Sequence, residues 1–486
     1  MAGNWKEWMS RWWEQPRHEM WVRLAAVLIL FALVNHVSFR HHGTVDFTRD
    51  HRFTLDSATQ RFLRELDSEV ALIALFSSGS DVFSDMRCLL DQVQRQSRGN
   101  VTVEFLDPVR HPGRSGEVQA KYGVRLKSNA LIVAHGNRHK VVAEEDMIFR
   151  DAGGLVNKFG GEISLVGAMI EVLEEKPKKV YIVTGFQRPD FLREVFAEMK
   201  ELGSGQNLQV EFLNLGVKQE VPDDADALML TAPQVDLPEP EMERLKKYWG
   251  SRGGALFLTL DPDVPLPRLE AFLKRLGVVL RKDRVVYSPQ GLTGRTQKIF
   301  SVPARIRGGS AVGRYLEGLT LTLEGRSQSL QLLPDAEAIR ADNIHLTPLL
   351  VADDSYWGET EYDADSVRRD RTKDHFAPLY LGTVVERGAV EDPNLRVQTQ
   401  RLVLVSNPTL LATGERKQKL QADLVLSALN WLMDRGKLIG ITPQEPTRYA
   451  VILSPGTLES IERFAVVILP GVVGAIGVLV WFLRRR

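Results

Sequence analysis

The chain has 486 residues, and its 62 Lys and Arg residues balance its 62 Asp and Glu residues. This length suits two or three domains, and the zero net charge provides no basic field of the size that nucleic-acid binding requires, so we expect no nucleic-acid partner. The sole cysteine, Cys88, excludes an intramolecular disulfide framework, a CxxC redox pair and a multi-cysteine zinc site.

The amino-terminal part of the chain predicts a membrane anchor. Residues 21–39 form an apolar run with basic residues before it, which predicts a transmembrane helix whose amino end is cytoplasmic. A cleavable signal peptide is the alternative, but no small-x-small cleavage pattern follows the run. Within residues 1–20, Trp5, Trp8 and Trp12 recur at helical spacing, typical of an amphipathic interfacial segment. That segment serves either simple anchoring or docking to a membrane partner.

Residues 40–150 predict a small α/β domain. Buried strands alternate with amphipathic helices, and the β-α-β order with short connections implies parallel pairing. The predicted elements are a helix from 53, a strand at 70–76, a helix at 81–96 and strands at 101–106 and 130–134.

A second α/β domain is predicted for residues 151–284 together with 385–445. Strands near 180, 210, 227 and 255 alternate with helices, which favours a doubly wound sheet whose ligand crevice lies at the carboxyl ends of the strands. Short strands separated by polar turns fill residues 285–384. This β-rich stretch is either an insertion into the second domain or a separate subdomain.

The carboxyl end predicts a second anchor. After a linker at 446–463, residues 464–483 are apolar and uncharged over about 20 residues, enough to cross about 30 Å of hydrocarbon. The arginines at 484–486 predict a cytoplasmic tail. Three glycines in this span recur every third residue and either admit a neighbouring helix or reflect ordinary glycine enrichment in membrane helices. They are Gly471, Gly474 and Gly477.

Two groups of residues are candidate binding sites. Asp261 and Asp263 follow a predicted strand and either line a crevice or cap the next turn. Ser355, Trp357 and Glu359 combine an aromatic ring with polar groups, as sugar-binding and partner surfaces do. Core packing of Trp357 is the alternative.

No motif for catalysis, cofactor or metal binding is evident. The acidic stretch 353–365 lacks the glycine and terminal glutamate of an EF-hand loop, which favours a solvated loop. Cys88 lies inside a helical pattern and not on a strand-to-helix turn, so it is no candidate for an amidotransferase nucleophile. The motifs GxSxG, GxxxxGK[ST] and GxGxxG are absent from the sequence. We therefore expect no enzymatic activity.

The ordered motifs resemble the GldG-like auxiliary subunits of gliding-motility-type ABC transporters over most of the chain. They are Phe-Thr-Leu-Asp at 53–56, Val-Glu-Phe-Leu-Asp-Pro at 103–108, Lys-Tyr-Gly-Val at 121–124, Val-Tyr-Ile-Val-Thr-Gly at 180–185, Gly-Gly-Ala-Leu-Phe-Leu-Thr-Leu-Asp-Pro at 253–262, Ser-Tyr-Trp-Gly-Glu at 355–359, Ala-Leu-Asn-Trp-Leu at 428–432 and Leu-Pro-Gly at 469–471. The resemblance implies a central domain like the class I glutamine amidotransferases, a flavodoxin-like fold.

Two departures from the family pattern concern polar residues. Residues 184–187 read Thr-Gly-Phe-Gln, where relatives often have His-Gly-Glu after the Thr-Gly pair. Residues 406–408 read Ser-Asn-Pro in place of a frequent Gly-Asp-Ser. Any activity that depends on those family residues is not expected here.

The resemblance and the two anchors together predict a non-enzymatic, membrane-anchored auxiliary subunit of an ABC transporter. Its expected partners are a permease and an ATP-binding subunit, membrane lipid, and an envelope polymer or protein cargo. Its expected location is the bacterial inner membrane, with both termini cytoplasmic and the bulk of the chain periplasmic. The alternative is a membrane-tethered extracytoplasmic hydrolase or carbohydrate-binding protein, and a purely structural role in envelope spacing also remains open.

Overall fold

The structure is a computed structural model that describes eleven stretches of the chain, namely residues 23–24, 26–31, 54–124, 129–150, 156–250, 253–288, 298–364, 367, 369–388, 399–411 and 419–438. Several predicted features lie outside these stretches. They are the amphipathic segment 1–20, the linker 446–463, the span 464–483, the tail 484–486 and, with them, Trp5, Trp8, Trp12, Gly471, Gly474 and Gly477.

The two terminal transmembrane helices of the predicted fold class are not supported. Over the residues that the structure describes, no helix combines the length and the apolar character that a membrane crossing demands. The α/β part of the predicted fold class agrees with the structure. The predicted terminal membrane helices, and with them the prediction of a transmembrane protein, are not supported by the described residues.

The first folded unit is a four-stranded sheet of order β2-β1-β3-β4. Strands β1 and β2 are parallel, whereas β3 runs antiparallel to both β1 and β4, so the predicted parallel pairing holds for one pair of neighbours. The elements are α1 (Ser57–Arg64), β1 (Val70–Leu75), α2 (Phe83–Gln96), β2 (Val101–Leu106), α3 (Pro112–Lys121), β3 (Ala130–His135), β4 (Arg138–Ala143), β5 (Ile148–Arg150), β6 (Val156–Phe159) and α4 (Gly161–Leu173).

Helices cover both faces of this sheet. Successive side chains of a strand point to opposite faces, so Leu72 and Ala74 pack with α1, α2 and α4 while Ile73 and Leu75 pack with α3. Helix α4 follows the boundary predicted at residue 150, yet it contributes its apolar face to this first core. Leu438, from the far end of the described chain, belongs to the same core.

The second unit contains an eleven-stranded sheet. Its elements are β7 (Lys178–Thr184), α5 (Pro189–Ser204), β8 (Leu208–Asn214), β9 (Ala227–Thr231), α6 (Glu239–Gly250), β10 (Ala255–Thr259), α7 (Pro267–Arg275), β11 (Val278–Leu280), β12 (Arg284–Val286), β13 (Val302–Ile306), β14 (Thr320–Leu323), β15 (Leu330–Leu332), α8 (Glu337–Ala341), β16 (Ile344–Ala352), β17 (Trp357–Glu359), β18 (Tyr380–Arg387), β19 (Gln400–Val405) and α9 (Lys419–Leu432).

This sheet has a parallel half and an antiparallel half. In the parallel half the strands lie in the order β8-β7-β9-β10-β19, which is the 2-1-3-4-5 order of flavodoxin-like doubly wound sheets. The stretch 285–384, predicted as an insertion or a separate subdomain, supplies β13, β14, β16 and β18. These strands pair antiparallel beyond β19 and extend the same sheet.

Apolar residues cover both faces of the large sheet. Helices α5 and α9 pack on one face, and α6, α7 and α8 pack on the other. The central strands β9 and β10 are buried over their whole length, which is why both read as continuous apolar runs in the sequence. The continuous apolar runs in the sequence therefore indicate strands that are covered on both faces.

A buried ion pair joins the two units. Arg435, 4% exposed at its side chain, contacts Glu174 after α4 with an Nε to Oε1 distance of 2.6 Å, and its Nη2 donates to the carbonyl of Gln206 at 2.7 Å. Burial lowers the pKa of Arg435, and the charge of Glu174 opposes that effect. Nearby, a Cβ at Gly167 would lie 3.2 Å from the carbonyl oxygen of Gly205, so the two backbones approach closely here.

We expect Glu174→Ala to destabilise the protein by about 3 to 5 kcal/mol, because it leaves a buried guanidinium without its carboxylate. The measurement is denaturant unfolding of the full chain, followed by far-UV circular dichroism. Glu220→Ala is the matched control, since Glu220 and Lys247 form an ion pair with side chains 71% and 74% exposed, and it should leave the unfolding midpoint unchanged. An equal loss of unfolding free energy in Glu174→Ala and Glu220→Ala would contradict a stabilising role for the Glu174–Arg435 ion pair.

A second prediction concerns Glu162, in the first turn of α4, whose carboxylate accepts the Asp56 N–H at 2.9 Å. Burial raises the pKa of the Glu162 carboxyl in the folded protein above its ordinary 4.5. The ionised carboxylate is therefore less stable in the folded chain than in the unfolded chain. The free energy of unfolding of the wild type should fall as the pH rises from about 4.5 through the raised pKa of the folded state. Glu162→Gln keeps the acceptor oxygen and should be more stable than wild type at pH 7. That difference should shrink below pH 4.5. The measurement is denaturant unfolding of the wild type and Glu162→Gln between about pH 3.5 and pH 7.5. A difference in unfolding free energy that stays constant over this range would contradict the prediction.

Candidate functional site

The candidate site begins at a crevice formed by the carboxyl ends of the parallel strands. From β7 the chain passes to β8 on one side of the sheet and then to β9 on the other, so the connections diverge between β7 and β9. Doubly wound sheets bind ligands at such a switch point. The residues that follow the strands are 185–187 after β7, 232–234 after β9, 260–263 after β10 and 406–408 after β19.

Side-chain amides and a carboxylate meet in this crevice. The Nε2 of Gln234 donates to Asp261 Oδ2 at 3.0 Å, and the backbone N–H of Gln234 donates to the carbonyl of Phe186 at 2.6 Å. Gln187 donates from Nε2 to the carbonyl of Val183 at 2.9 Å. The predicted candidate Asp261 therefore lies at the crevice, where it ties the loop after β9 to the loop after β10.

Two residues of the crevice have positive φ angles. Gly185 has φ +101°, a conformation that favours glycine. Ala232 has φ +39°, which is unusual for a residue with a Cβ, and its N–H donates to the carbonyl oxygen of Thr259 at 2.8 Å and to the hydroxyl of the same residue at 3.1 Å. Backbone strain of this kind is concentrated at binding sites, which supports the choice of this edge of the sheet.

Asp263 forms the border between the crevice and a basic region. Its backbone N–H donates to Asp261 Oδ1 at 3.1 Å, and its carboxylate accepts from Arg284 Nε at 2.9 Å and from Arg326 Nη1 at 3.0 Å. Arg284 is 6% exposed at its side chain and also donates to the carbonyls of Asp283 and Pro262. The sequence predicted Asp263 as a site residue but gave no indication of its arginine partners.

Three arginines of this region each stack on an aromatic ring. The guanidinium carbon lies 4.2 Å from the ring centroid for Arg284 on Tyr362, 5.1 Å for Arg326 on Phe300 and 4.7 Å for Arg369 on Trp357. Arg326 and Arg369 are exposed, whereas Arg284 is buried. We call these six residues the arginine–aromatic rim. Cation–π contacts hold such side chains in fixed orientations and leave other faces of the guanidinium groups available.

The stretch 355–359 contributes Trp357, a buried member of this rim. Trp357 is 3% exposed, packs with Val286 and Val367, and donates from Nε1 to Glu359 Oε2 at 3.1 Å. Glu359 is equally buried. The sequence left open whether Trp357 belongs to a binding surface or to the core. In the structure Trp357 packs in the core, with one ring face toward Arg369.

Ser355 lies at the surface end of the same stretch and caps a turn. Its hydroxyl donates to Asp353 Oδ1 at 2.5 Å, and its carbonyl accepts from Arg369. The hydrogen bonds from Ser355 lower the pKa of Asp353, because they stabilise the ionised carboxylate. Ser355 therefore supports the rim arginine through its backbone.

A buried carboxylate beneath the rim was missed by the sequence analysis. Asp283 is fully buried and accepts from Ser329 N at 2.8 Å, Ser329 Oγ at 2.5 Å and His375 Nδ1 at 2.8 Å. Serine, aspartate and histidine meet here, but the aspartate is central, whereas a hydrolytic triad places the histidine between the other two. The cluster joins three loops, and its order differs from that of a hydrolytic triad.

The two departures from the family pattern both lie at this edge of the sheet. Gln187 belongs to the first, as described above. In the second, the Nδ2 of Asn407 donates to the carbonyl of Glu324 at 2.9 Å and to Ser327 Oγ at 3.0 Å. The hydroxyls of Ser406 and Thr231 are buried and have no hydrogen-bond partner among the described residues. Polar residues of both stretches therefore lie after the carboxyl ends of β7 and β19.

The crevice and the rim present amide, carboxylate and guanidinium groups. Cys88 lies on α2 of the first unit, and no cysteine follows a parallel strand of the second unit. The described part of the chain contains no cluster of three His, Cys, Asp or Glu side chains suited to a metal ion. Amide, carboxylate and guanidinium groups recognise ligands by hydrogen bonds and charge, so this edge of the sheet is a candidate binding site.

Comparison with known proteins gives one sequence match and distant structural likenesses. A family model described as a domain of unknown function, DUF7088, matches residues 49–150, which cover most of the first unit. No curated protein matches the chain. Among solved structures, the mmIFT52 N-terminal domain has 13% identity and a TM-score of 0.35, with 52% of this chain and 97% of that one covered. A ThuA-like protein from Bacteroides uniformis has 13% identity and a TM-score of 0.32, with 53% and 93% covered. At these scores neither likeness informs on function.

The contact between Gly358 and Asp283 can be tested by one substitution. A Cβ at Gly358 would lie 2.2 Å from Asp283 Oδ2, so Gly358→Ala must displace the buried carboxylate or the strand β17. We expect a loss of about 1 to 3 kcal/mol, measured by denaturant unfolding. Gly116→Ala is the matched control, because nothing lies within 4 Å of a Cβ in that helical position, and it should be neutral or stabilising. A neutral Gly358→Ala would contradict the tight contact.

Proposed function

We propose that this chain is a non-enzymatic auxiliary subunit of an ABC transporter, which binds a protein cargo or an envelope partner through the arginine–aromatic rim. The proposal combines the sequence resemblance with the chemistry of the site. The observation that carries it is the rim itself, in which Arg326 and Arg369 are exposed and stacked on the rings of Phe300 and Trp357. Arginine and aromatic side chains are enriched in the centres of protein interfaces.

The contacts that hold the rim arginines in place suit the binding of a partner better than catalysis. Arg326 is held by Asp263 at 3.0 Å, and Arg369 is held by the carbonyl of Ser355, so both guanidinium groups are oriented before a partner arrives. Preorganised side chains lose less conformational entropy on association. Because the sequence has no P-loop, we assign ATP hydrolysis to a separate subunit.

The proposal includes an extracytoplasmic location for the two folded units, in the bacterial periplasm, where they would meet cargo beside a permease. This location is supported by the resemblance alone. It can be checked independently of binding, since a reporter that is active only outside the cytoplasm, inserted in the surface turn at Gly99, should be active.

The test is copurification from the native host. We expect the tagged full-length chain, extracted in mild detergent, to recover a permease and an ATP-binding subunit together with a cargo or envelope partner, identified by mass spectrometry. Arg326→Glu combined with Arg369→Glu should reduce recovery of the cargo or envelope partner at least tenfold, since reversing two interface cations creates repulsion where attraction existed. The amount of soluble, folded chain should not change.

The matched control reverses two arginines elsewhere, Arg110→Glu with Arg193→Glu, whose side chains are 72% and 77% exposed. This control should recover partners as the wild type does. Recovery of the wild-type chain alone would contradict the transporter assignment. Equal loss of partners in both double variants would contradict the assignment of binding to the rim.

A further inference from the structure

The outer side of β8 is an open edge of the large sheet. Among the described strands β8 pairs only with β7, in parallel. The N–H of Lys178 donates to the carbonyl of Asn207 at 3.1 Å, and Lys178 lies opposite Leu208 in the register. Backbone groups alternate in direction along a strand, so Leu208, Val210 and Phe212 direct their N–H and C=O groups away from β7. A further strand would pair with these groups.

β8 lacks the features that usually block an open edge. Its pairing with β7 has no bulge, and its sequence, Leu-Gln-Val-Glu-Phe-Leu-Asn, has no lysine or proline. By contrast, β4 at the edge of the first sheet begins with Arg-His-Lys. At the other end of the large sheet, β14 has four residues, and its Thr322 carbonyl accepts from Gln421 Nε2 at 3.1 Å. Of these three edges, β8 is the one suited to pairing.

An aromatic ring is exposed on one face of β8. Phe212 is 47% exposed, although it stacks on Phe196 of α5 with the ring centroids 4.2 Å apart and the planes at 29°. Val210 lies on the same face and is half-buried against the core. The alternation of side chains places Leu208 on this face as well. The face therefore carries a row of three apolar side chains, the last of which α5 covers incompletely.

The side chains of β8 favour one antiparallel register between two copies of the strand. With Val210 on a two-fold axis, Phe212 lies opposite Leu208 of the second copy, and Gln209 lies opposite Glu211 of the second copy. Opposed apolar side chains stabilise a strand pair, and an amide can donate to a carboxylate. The neighbouring register, centred on Glu211, would place two glutamates directly opposite each other, which destabilises a strand pair. Charge complementarity therefore favours the register centred on Val210.

We propose that β8 pairs antiparallel with β8 of a second copy of this chain, in the register centred on Val210, and forms one continuous sheet across a two-fold axis. The outward backbone groups then make about six hydrogen bonds between the copies. Pairing also covers the exposed ring of Phe212. The contact is short compared with the interfaces of stable dimers, so we expect a Kd of about 1 to 100 µM. The surface is separate from the arginine–aromatic rim and does not depend on the function proposed for it.

The experiment is sedimentation equilibrium of the purified full-length chain, combined with hydrogen exchange of residues 208–214 at low and high protein concentration. We expect a monomer–dimer equilibrium between about 1 and 100 µM. The amides of Val210 and Phe212 should exchange at least about tenfold more slowly where the dimer dominates, because pairing gives them acceptors. A monomer at every concentration would overturn the proposal. A monomer whose β8 amides are protected would assign this edge to another segment of the same chain and would overturn it too.

Two substitutions assign the dimer to β8. Val210→Pro removes the N–H at the axis but leaves the bonds to β7 intact, since that N–H points away from β7, and proline is tolerated at such positions of edge strands. Phe212→Lys replaces an exposed ring by a charge and provides a test even if Val210→Pro does not fold. Each should weaken the dimer at least about tenfold.

Val217→Lys is the matched control, because Val217 is 78% exposed and lies beyond the end of β8. It should dimerise like the wild type, as should the rim variant Arg326→Glu with Arg369→Glu. Wild-type affinity in both Val210→Pro and Phe212→Lys would overturn the proposal.

Gln209→Glu tests the register. It places carboxylates opposite each other in the proposed dimer, whereas within one copy the new carboxylate lies beside Lys179 of β7, which favours the fold. We expect the dimer to weaken about threefold or more at low salt and the difference to shrink at about 0.5 M salt. Wild-type affinity at low salt would overturn the register centred on Val210.

Discussion

The position of β19 is the constraint on which the second unit depends. This strand pairs parallel with β10 on one side and antiparallel with β18 on the other, so among the described strands it joins the parallel half of the large sheet to the antiparallel half. Its residues 402–405 are buried, and residues 406–408 lead directly into the crevice. β19 therefore sets the position of the crevice relative to the antiparallel strands that support the rim.

The candidate site combines rigid and adjustable parts. Asp261, Asp263 and Arg284 are tied into a hydrogen-bonded series that starts at Gln234 and reaches β12, so the border of the crevice is held by many short contacts. Arg326 and Arg369 extend from this base into solvent and are oriented by ring faces. Their ring contacts and hydrogen bonds keep both guanidinium groups oriented above the sheet.

Sequence reasoning located the α/β elements well, because apolar runs and helical periodicity are local signals. It placed Asp261 at a strand end, where Gln234 now meets it, but could not predict the pairing of Asp263 with Arg284 and Arg326, which lie 21 and 63 residues away. Asp283 gave no signal, since a lone aspartate among basic residues looks solvated. The terminal membrane helices were predicted from composition, and the described residues do not support them. The extension of the sheet by 285–384 depends on pairing across distant strands, which a sequence window does not contain.

Both cores also depend on residues near the end of the described chain. The sheet of the second unit needs β19, and the first unit, whose described elements start with α1, buries Leu438 and has Arg435 beside Glu174. During synthesis on the ribosome, α1 to α4 emerge long before these residues do. The first unit therefore waits through the translation of more than half the chain before its core and its ion pair can be completed.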